Sequence, residues 1–122
     1  MIYFVSGHRD LTKEEFEEHY VPLIQKVLKS DIFPEFIVGD WEGCDSMFLN
    51  FIKDYEVHVI ITYIEEVPRI DITGASWLRL KTYDKCDEQM TITSDFDIAW
   101  IRPGREDSHT AKNIKRRYGP YN

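Results

Sequence analysis

A short apolar run that ends in a glycine turn and passes into a helix-like segment occurs three times in this 122-residue chain, and that order constrains its fold most. The first instance is Ile2-Tyr3-Phe4-Val5 followed by Ser6-Gly7-His8-Arg9-Asp10. The second is Phe36-Ile37-Val38 followed by Gly39-Asp40-Trp41-Glu42-Gly43-Cys44-Asp45. The third is Ile98-Ala99-Trp100-Ile101 followed by Arg102-Pro103-Gly104-Arg105. Strands that alternate with helices pack as an α/β layer structure with a mainly parallel sheet. With no linker, repeat or low-complexity segment, residues 1–122 read as one domain.

The elements follow from local chemistry. Ile2 to Val5 is the first strand. Thr12-Lys13-Glu14-Glu15 forms a capping box: the Thr12 hydroxyl accepts from the Glu15 N–H, and the Glu15 carboxylate reaches back. Phe16, Tyr20, Leu23, Val27 and Leu28 then recur at helical spacing. Pro22 interrupts them, so a kink or two short helices meeting near His19 is expected. Phe36 to Val38 is the second strand, and Asp45 is placed to cap the next helix, with Phe48, Leu49 and Ile52 toward the core. Val57 to Ile64 is a near-continuous apolar run that reads as a central strand covered on both faces. Pro68 and Gly74 make Glu65 to Lys81 mostly loop, with a short edge strand at Trp77 to Leu80. A helix is expected within 84–93 and a buried strand at Ile98 to Ile101. The last helix is capped by Ser108 or Thr110 and ends near Tyr118, with Gly119 as its stop.

Composition narrows the function. Hydrophobic residues at 43% and aromatics at 14% support a folded core. A net charge of −7 argues against nucleic acid as a partner, because such proteins carry basic fields. No apolar run reaches the roughly 20 residues that span a bilayer. The first residues read as a strand and not as a secretory leader. No membrane partner and a cytoplasmic location are therefore expected. Cys44 and Cys86 are far apart and form no CxxC pair, which suits reduced thiols. His8, His19, His58 and His109 lack ligand spacing, so no metal is expected.

The three turns carry the chemistry. Gly7-His8-Arg9-Asp10 joins a small residue, a titratable ring and a guanidinium able to hold phosphate through two hydrogen bonds. Gly39-Asp40-x-x-Gly43-Cys44-Asp45 is short of a full dinucleotide fingerprint, yet it belongs at the same sheet edge, where open α/β sheets bind ligands. In the third turn Arg102 and Arg105 flank Pro103-Gly104 before a helix start at Ser108-His109-Thr110, whose dipole favours anions. No catalytic triad is visible: Ser6 and Ser94 lack an adjacent base, and there is no GxSxG elbow. The catalytic residues, if any, are unassigned. Cys44 reads as a small helix-packing residue.

Together these segments resemble the SLOG superfamily, a Rossmann-like group of nucleotide-binding domains that includes the Lonely-guy phosphoribohydrolases and the molybdenum-cofactor carriers. The matching residues are Gly7 to Asp10, Gly39 to Asp45, Asp87-x-x-Met90-Thr91, Ser94-Asp95-x-Asp97-Ile98-Ala99-Trp100, and Arg102 to Thr110. The resemblance covers most of the chain outside roughly Val57 to Lys81. It implies a three-layer Rossmann-like domain with helices on both faces and a nucleotide-like ligand in place of any other cofactor. It also implies that Met90 and Ser94 join the three turns in the ligand site, and that the chain forms a homodimer. Hydrolytic members place a glutamate three residues after the threonine of a Gly-Thr pair. Here the pair is His109-Thr110 and that position is Asn113, while the arginine expected before Asp87 is Cys86. Asn113 cannot act as nucleophile or base. The resemblance thus implies binding over catalysis.

The expected function is binding of a nucleotide-derived anion, with Gly7, Arg9, Gly39, Gly43, Gly104 and Thr110 as the phosphate cradle and Trp41 or Trp100 available to stack on a base. An N-glycosidase acting on nucleoside monophosphates is the alternative, with Asp40, Asp45, Glu88 or Asp95 as its carboxylate. A protein-interaction domain, docking through the acidic first helix or the basic C-terminus, is the second. Phe33, Tyr55 and Trp77 exceed what one core buries, which again suits a homodimer.

Overall fold

The computed structural model describes residues 1–118, the side chains of residues 83–85 excepted. Five strands form one parallel sheet: β1 (Ile2–Val5), β2 (Glu35–Val38), β3 (His58–Tyr63), β4 (Ser76–Arg79) and β5 (Phe96–Ile98), in the order β4-β3-β2-β1-β5. Phe4 of β1 sits opposite Ile37 of β2 on one side and Asp97 of β5 on the other. Ile37 faces Ile60 across β2 and β3, and Ile61 faces Trp77 across β3 and β4. The α/β fold read from the sequence is therefore the fold observed.

Alternation along the strands sends Tyr3, Val5, Phe36, Val38, Val59, Ile61 and Ile98 to one face. There they meet Phe16 of α1 (Lys13–His19), Ile24 of α2 (Val21–Ser30), and Phe48, Leu49 and Ile52 of α3 (Cys44–Ile52). Each such side chain, fully buried, stabilises by about 1.5–3 kcal/mol. The other face is thinner. Phe4 and Ile37 pack there under Cys86 and Met90 of α4 (Tyr83–Thr93). Beside α4, α5 (His109–Tyr118) is tied down by Arg117, whose guanidinium donates to Asp97 at 2.8 Å and to the Ser94 carbonyl at 3.0 Å.

Local signals explain most boundaries. The Thr12–Glu15 capping box forms in both directions. Pro22 sits in the first turn of α2, where its missing N–H is no loss, so α1 and α2 are separate helices meeting at Tyr20. Ser108 caps α5, its hydroxyl accepting from the Ala111 N–H at 3.2 Å. Gly119 lies outside the described residues.

Three details differ from the sequence reading. Gly43, not Asp45, is the N-cap of α3, and Asp45 lies in its first turn. The Val57 to Ile64 run is one strand from the edge, with Ile60 only half-buried. Its apolar character comes from packing on one face and partial cover on the other. The last strand stops at Ile98 and not at Ile101. Its continuation is drawn off the ladder: the Trp100 N–H donates to the Tyr20 hydroxyl at 3.1 Å, and the Arg102 N–H to His8 Nε2 at 3.0 Å. No helix among the described residues is long and apolar enough to cross a membrane.

Candidate functional site

The chain turns back at β1, because β2, β3 and β4 lie to one side and β5 to the other. Such a reversal opens a crevice beyond the carboxyl ends of the strands. A cavity of about 430 Å³ occupies that edge, floored by Phe4, Val5, Thr62 and Met90. Gly7, His8, Arg9 and Asp10 from the first turn line it, as do Gly39, Asp40 and Asp45 from the second. Arg105, Ser108, His109 and Thr110 bring the amino end of α5 to the same space.

The first two turns are locked together. The His8 carbonyl accepts the N–H groups of both Leu11, at 3.3 Å, and Cys44, at 3.2 Å. Gly43 makes this approach possible: its φ is +78°, and a Cβ there would strike the backbone carbonyls of His8 and Arg9. The buried Tyr20 hydroxyl donates to the Ser6 carbonyl at 2.7 Å and accepts from Trp100, joining the first turn to the segment after β5. Because His8 Nε2 accepts the Arg102 N–H, its ring proton sits on Nδ1. Burial, reinforced by Arg105 and Arg102, lowers the His8 pKa and keeps the ring neutral.

Arg9 and Asp10 come from the first turn and Arg105 from the last, while Asp40, Glu42, Asp45 and Asp87 come from the second turn and α4. Burial pushes the Asp45 carboxyl up to about 7; Asp40 and Asp87 add to the rise, and the Trp41 N–H, 3.1 Å from Oδ2, opposes it. Asp40 Oδ2 accepts the Arg69 N–H at 2.8 Å. Asp87 Oδ2 lies 3.8 Å from His109 Nδ1. The Arg9 and Arg69 guanidinium carbons stand 3.6 and 3.8 Å from the Trp41 ring centre. Two groups that close cannot share one face, so the indole is sandwiched and offers no open face to a base. Trp100 is likewise stacked, at 3.9 Å, on His19.

Six residues expected at the site lie outside the cavity lining: Gly43, Cys44, Ser94, Arg102, Pro103 and Gly104. Gly43 and Cys44 are behind the first turn, packed against it. Ser94 caps the end of α4, its hydroxyl donating to the Met90 carbonyl at 2.7 Å. Arg102 is consumed by carboxylates, bonding Glu15 through Nε at 2.9 Å and through Nη2 at 2.6 Å, and Asp10 through Nη1 at 3.1 Å. The Arg102 hydrogen bond, with the Thr12 N–H next, holds the Glu15 carboxyl down at about 2. Pro103 and Gly104 are exposed in the turn beyond it.

Sequence reasoning did not place Thr62 or Tyr63 at the site, and it reached Asp87 and Asn113 only through the SLOG resemblance. Thr62 and Tyr63 had a signal, since they close the third strand at the same edge. Asn113 reaches the cavity one helical turn after Thr110, a position the i, i+3 spacing makes legible. Among the described residues no group of histidine, cysteine and carboxylate side chains is arranged to hold a metal. Compared with known proteins, the chain matches no family model, no curated protein and no solved structure.

Proposed function

We propose that this domain binds a nucleotide or other nucleotide-derived anion in the cavity at the carboxyl edge of its sheet, as a sensor or sequestering module. One observation carries the reading: Arg9, Arg105 and the amino end of α5 converge with four aspartates, Asp10, Asp40, Asp45 and Asp87, in a single cavity. Guanidinium groups and a helix start favour phosphate. Carboxylates that only accept suit the hydroxyls of a sugar. The volume, about 430 Å³, falls within the range of small-molecule sites. The resemblance to SLOG domains points to the same ligand class.

A thermal-shift screen against nucleoside monophosphates, NAD, ADP-ribose and cyclic nucleotides tests this. A ligand at about 100 times its dissociation constant stabilises by roughly 2.7 kcal/mol. That moves the midpoint of a domain this size by about 10 °C. Arg105→Gln should remove most of the shift while leaving the free protein's midpoint in place. A flat screen, or a full shift in Arg105→Gln, overturns the reading.

A second reading, an N-glycosidase, is favoured by Asp45 alone. A carboxyl with a pKa near 7 beside Asp40 is suited to donate a proton at neutral pH. Release of free base from a nucleoside monophosphate, abolished by Asp45→Asn, would establish it. Two finer points belong here. A homodimer is supported by the exposed Phe33 and Trp77, and a light-scattering mass near 14.5 kDa refutes it. A cytoplasmic setting is supported by the unpaired, buried thiols of Cys44 and Cys86.

A further inference from the structure

The opening residues of three neighbouring strands, Glu35 of β2, His58 of β3 and Ser76 of β4, meet at the amino end of the sheet, the opposite end from the cavity. Glu35 and His58 are register partners, and Ser76 reaches His58 diagonally, because its own partner is Ile60. His58 Nε2 lies 2.8 Å from Ser76 Oγ, and Nδ1 lies 3.4 Å from Glu35 Oε2. A carboxylate can only accept, so Nδ1 carries the ring proton. Nε2 is then left to accept the Ser76 O–H. Nucleophile, base and orienter thus stand in the relation that activates a serine for acyl transfer. Such a constellation is recognised by geometry and not by chain order, which is why residues 35, 58 and 76 give no linear motif.

The surroundings supply the remaining parts. The Leu80 N–H donates to the Tyr63 carbonyl at 2.8 Å, so strand alternation turns the Trp77 N–H away from β3. It points to an edge that no other described strand covers. It is also the N–H that follows the serine, the position that stabilises the oxyanion in α/β-hydrolases. Ile60 and Leu78 share the face of Ser76 by strand alternation and form an apolar shelf beside it. A catalytic pair is often long before substrate binds, and the Glu35–His58 contact is of that kind.

We propose that Ser76 is the nucleophile of a second site that cleaves short-chain carboxylic esters, with His58 as general base and Glu35 as the residue that positions its ring. Ser76 Oγ bonds to the ester carbonyl carbon while its proton passes to His58 Nε2. The bond from that carbon to the alcohol oxygen breaks, and the departing oxygen takes the proton from His58. Water then adds to the acyl carbon, giving a proton to His58. The bond to Ser76 Oγ breaks, Oγ recovers the proton, and the carboxylic acid leaves.

The full chain is treated with a fluorophosphonate probe, the adduct is located by peptide mass spectrometry, and hydrolysis of p-nitrophenyl butyrate is followed. The adduct is expected on Ser76, and both adduct and hydrolysis are lost in Ser76→Ala. His58→Ala slows both by about 100-fold or more. Glu35→Gln lowers kcat about tenfold and leaves KM unchanged, which loss of structure alone would not do. All three side chains are at the surface, so unchanged circular dichroism is expected in each variant. An adduct on another residue, no adduct, labelling undiminished in His58→Ala, or ester hydrolysis that survives Ser76→Ala overturns the proposal.

Discussion

The turn after β1 and the turn after β5 read alike in the sequence, each a glycine beside an arginine ahead of a helix, but only the first is backed by packed structure. The first is clamped from behind by α3 and by the Tyr20 hydroxyl, and it forms a wall of the cavity. In the second, Gly104 has a φ of +88° with nothing within 4 Å of where a Cβ would stand. Of its two arginines, Arg102 faces Glu15 and Asp10, while Arg105 reaches the cavity. The first turn is thus a preformed wall of the cavity, while the second reaches it through Arg105 and gives its other cation, Arg102, to the nearest carboxylates.

The contrast predicts a graded series. Gly43→Ala should cost the most, about 2–5 kcal/mol, because left-handed strain adds to a collision with the Arg9 backbone. Denaturant unfolding measures it, and a loss under about 1 kcal/mol would mean the first turn is not clamped. Tyr20→Phe should follow at about 1–3 kcal/mol, leaving the buried Ser6 carbonyl and the Trp100 N–H without their partner. Gly104→Ala should cost only about 1 kcal/mol, the backbone strain alone, since the space is open. A loss as large as that of Gly43→Ala would erase the distinction.

Arg102→Gln should have the smallest effect, because its ion pairs stand at the solvent edge, and should leave ligand affinity unchanged. Its effect has a definite pH dependence. Glu15 is held below its ordinary range in the fold, so the stability this provides is present above about pH 4.5 and fades as pH falls toward 2. The gap between wild type and Arg102→Gln in urea midpoint should close over that window. A gap that persists at pH 2 would show that packing, not charge, is lost.

The architecture was legible because it rests on repetition. The Thr12–Glu15 box, Pro22, Ser108 and the apolar runs of the first three strands are local signals, and the structure honours each of them. The ends of elements were less legible where distant side chains compete for the backbone. Nothing near Trp100 announces that its N–H is taken by a hydroxyl 80 residues earlier. Arg102 misled for the same reason, since the carboxylates that occupy it belong to the first helix and its approach. Asp87 belongs to a segment that resembles SLOG domains, but only packing of α4 over the sheet brings it beside Asp40 and Asp45. The Glu35–His58–Ser76 cluster depends wholly on strand register, which no local pattern encodes.

The link from β3 to β4 is a loop over residues 64–75 with no helix, and β4 is exposed at all of its residues. A helical crossover would bind the last strand to the sheet through a buried face. Here the ladder to β3 and the packing of Ile70, Ile72 and Ala75 carry that task. In hydrogen exchange the β4 amides that pair with β3 should therefore open at a lower free energy than those of β1 and β2, as a separate cooperative unit. The four-strand remainder would stay folded through such an event. Any chemistry that needs Ser76 against His58 would then run only during the fraction of time the strand is docked.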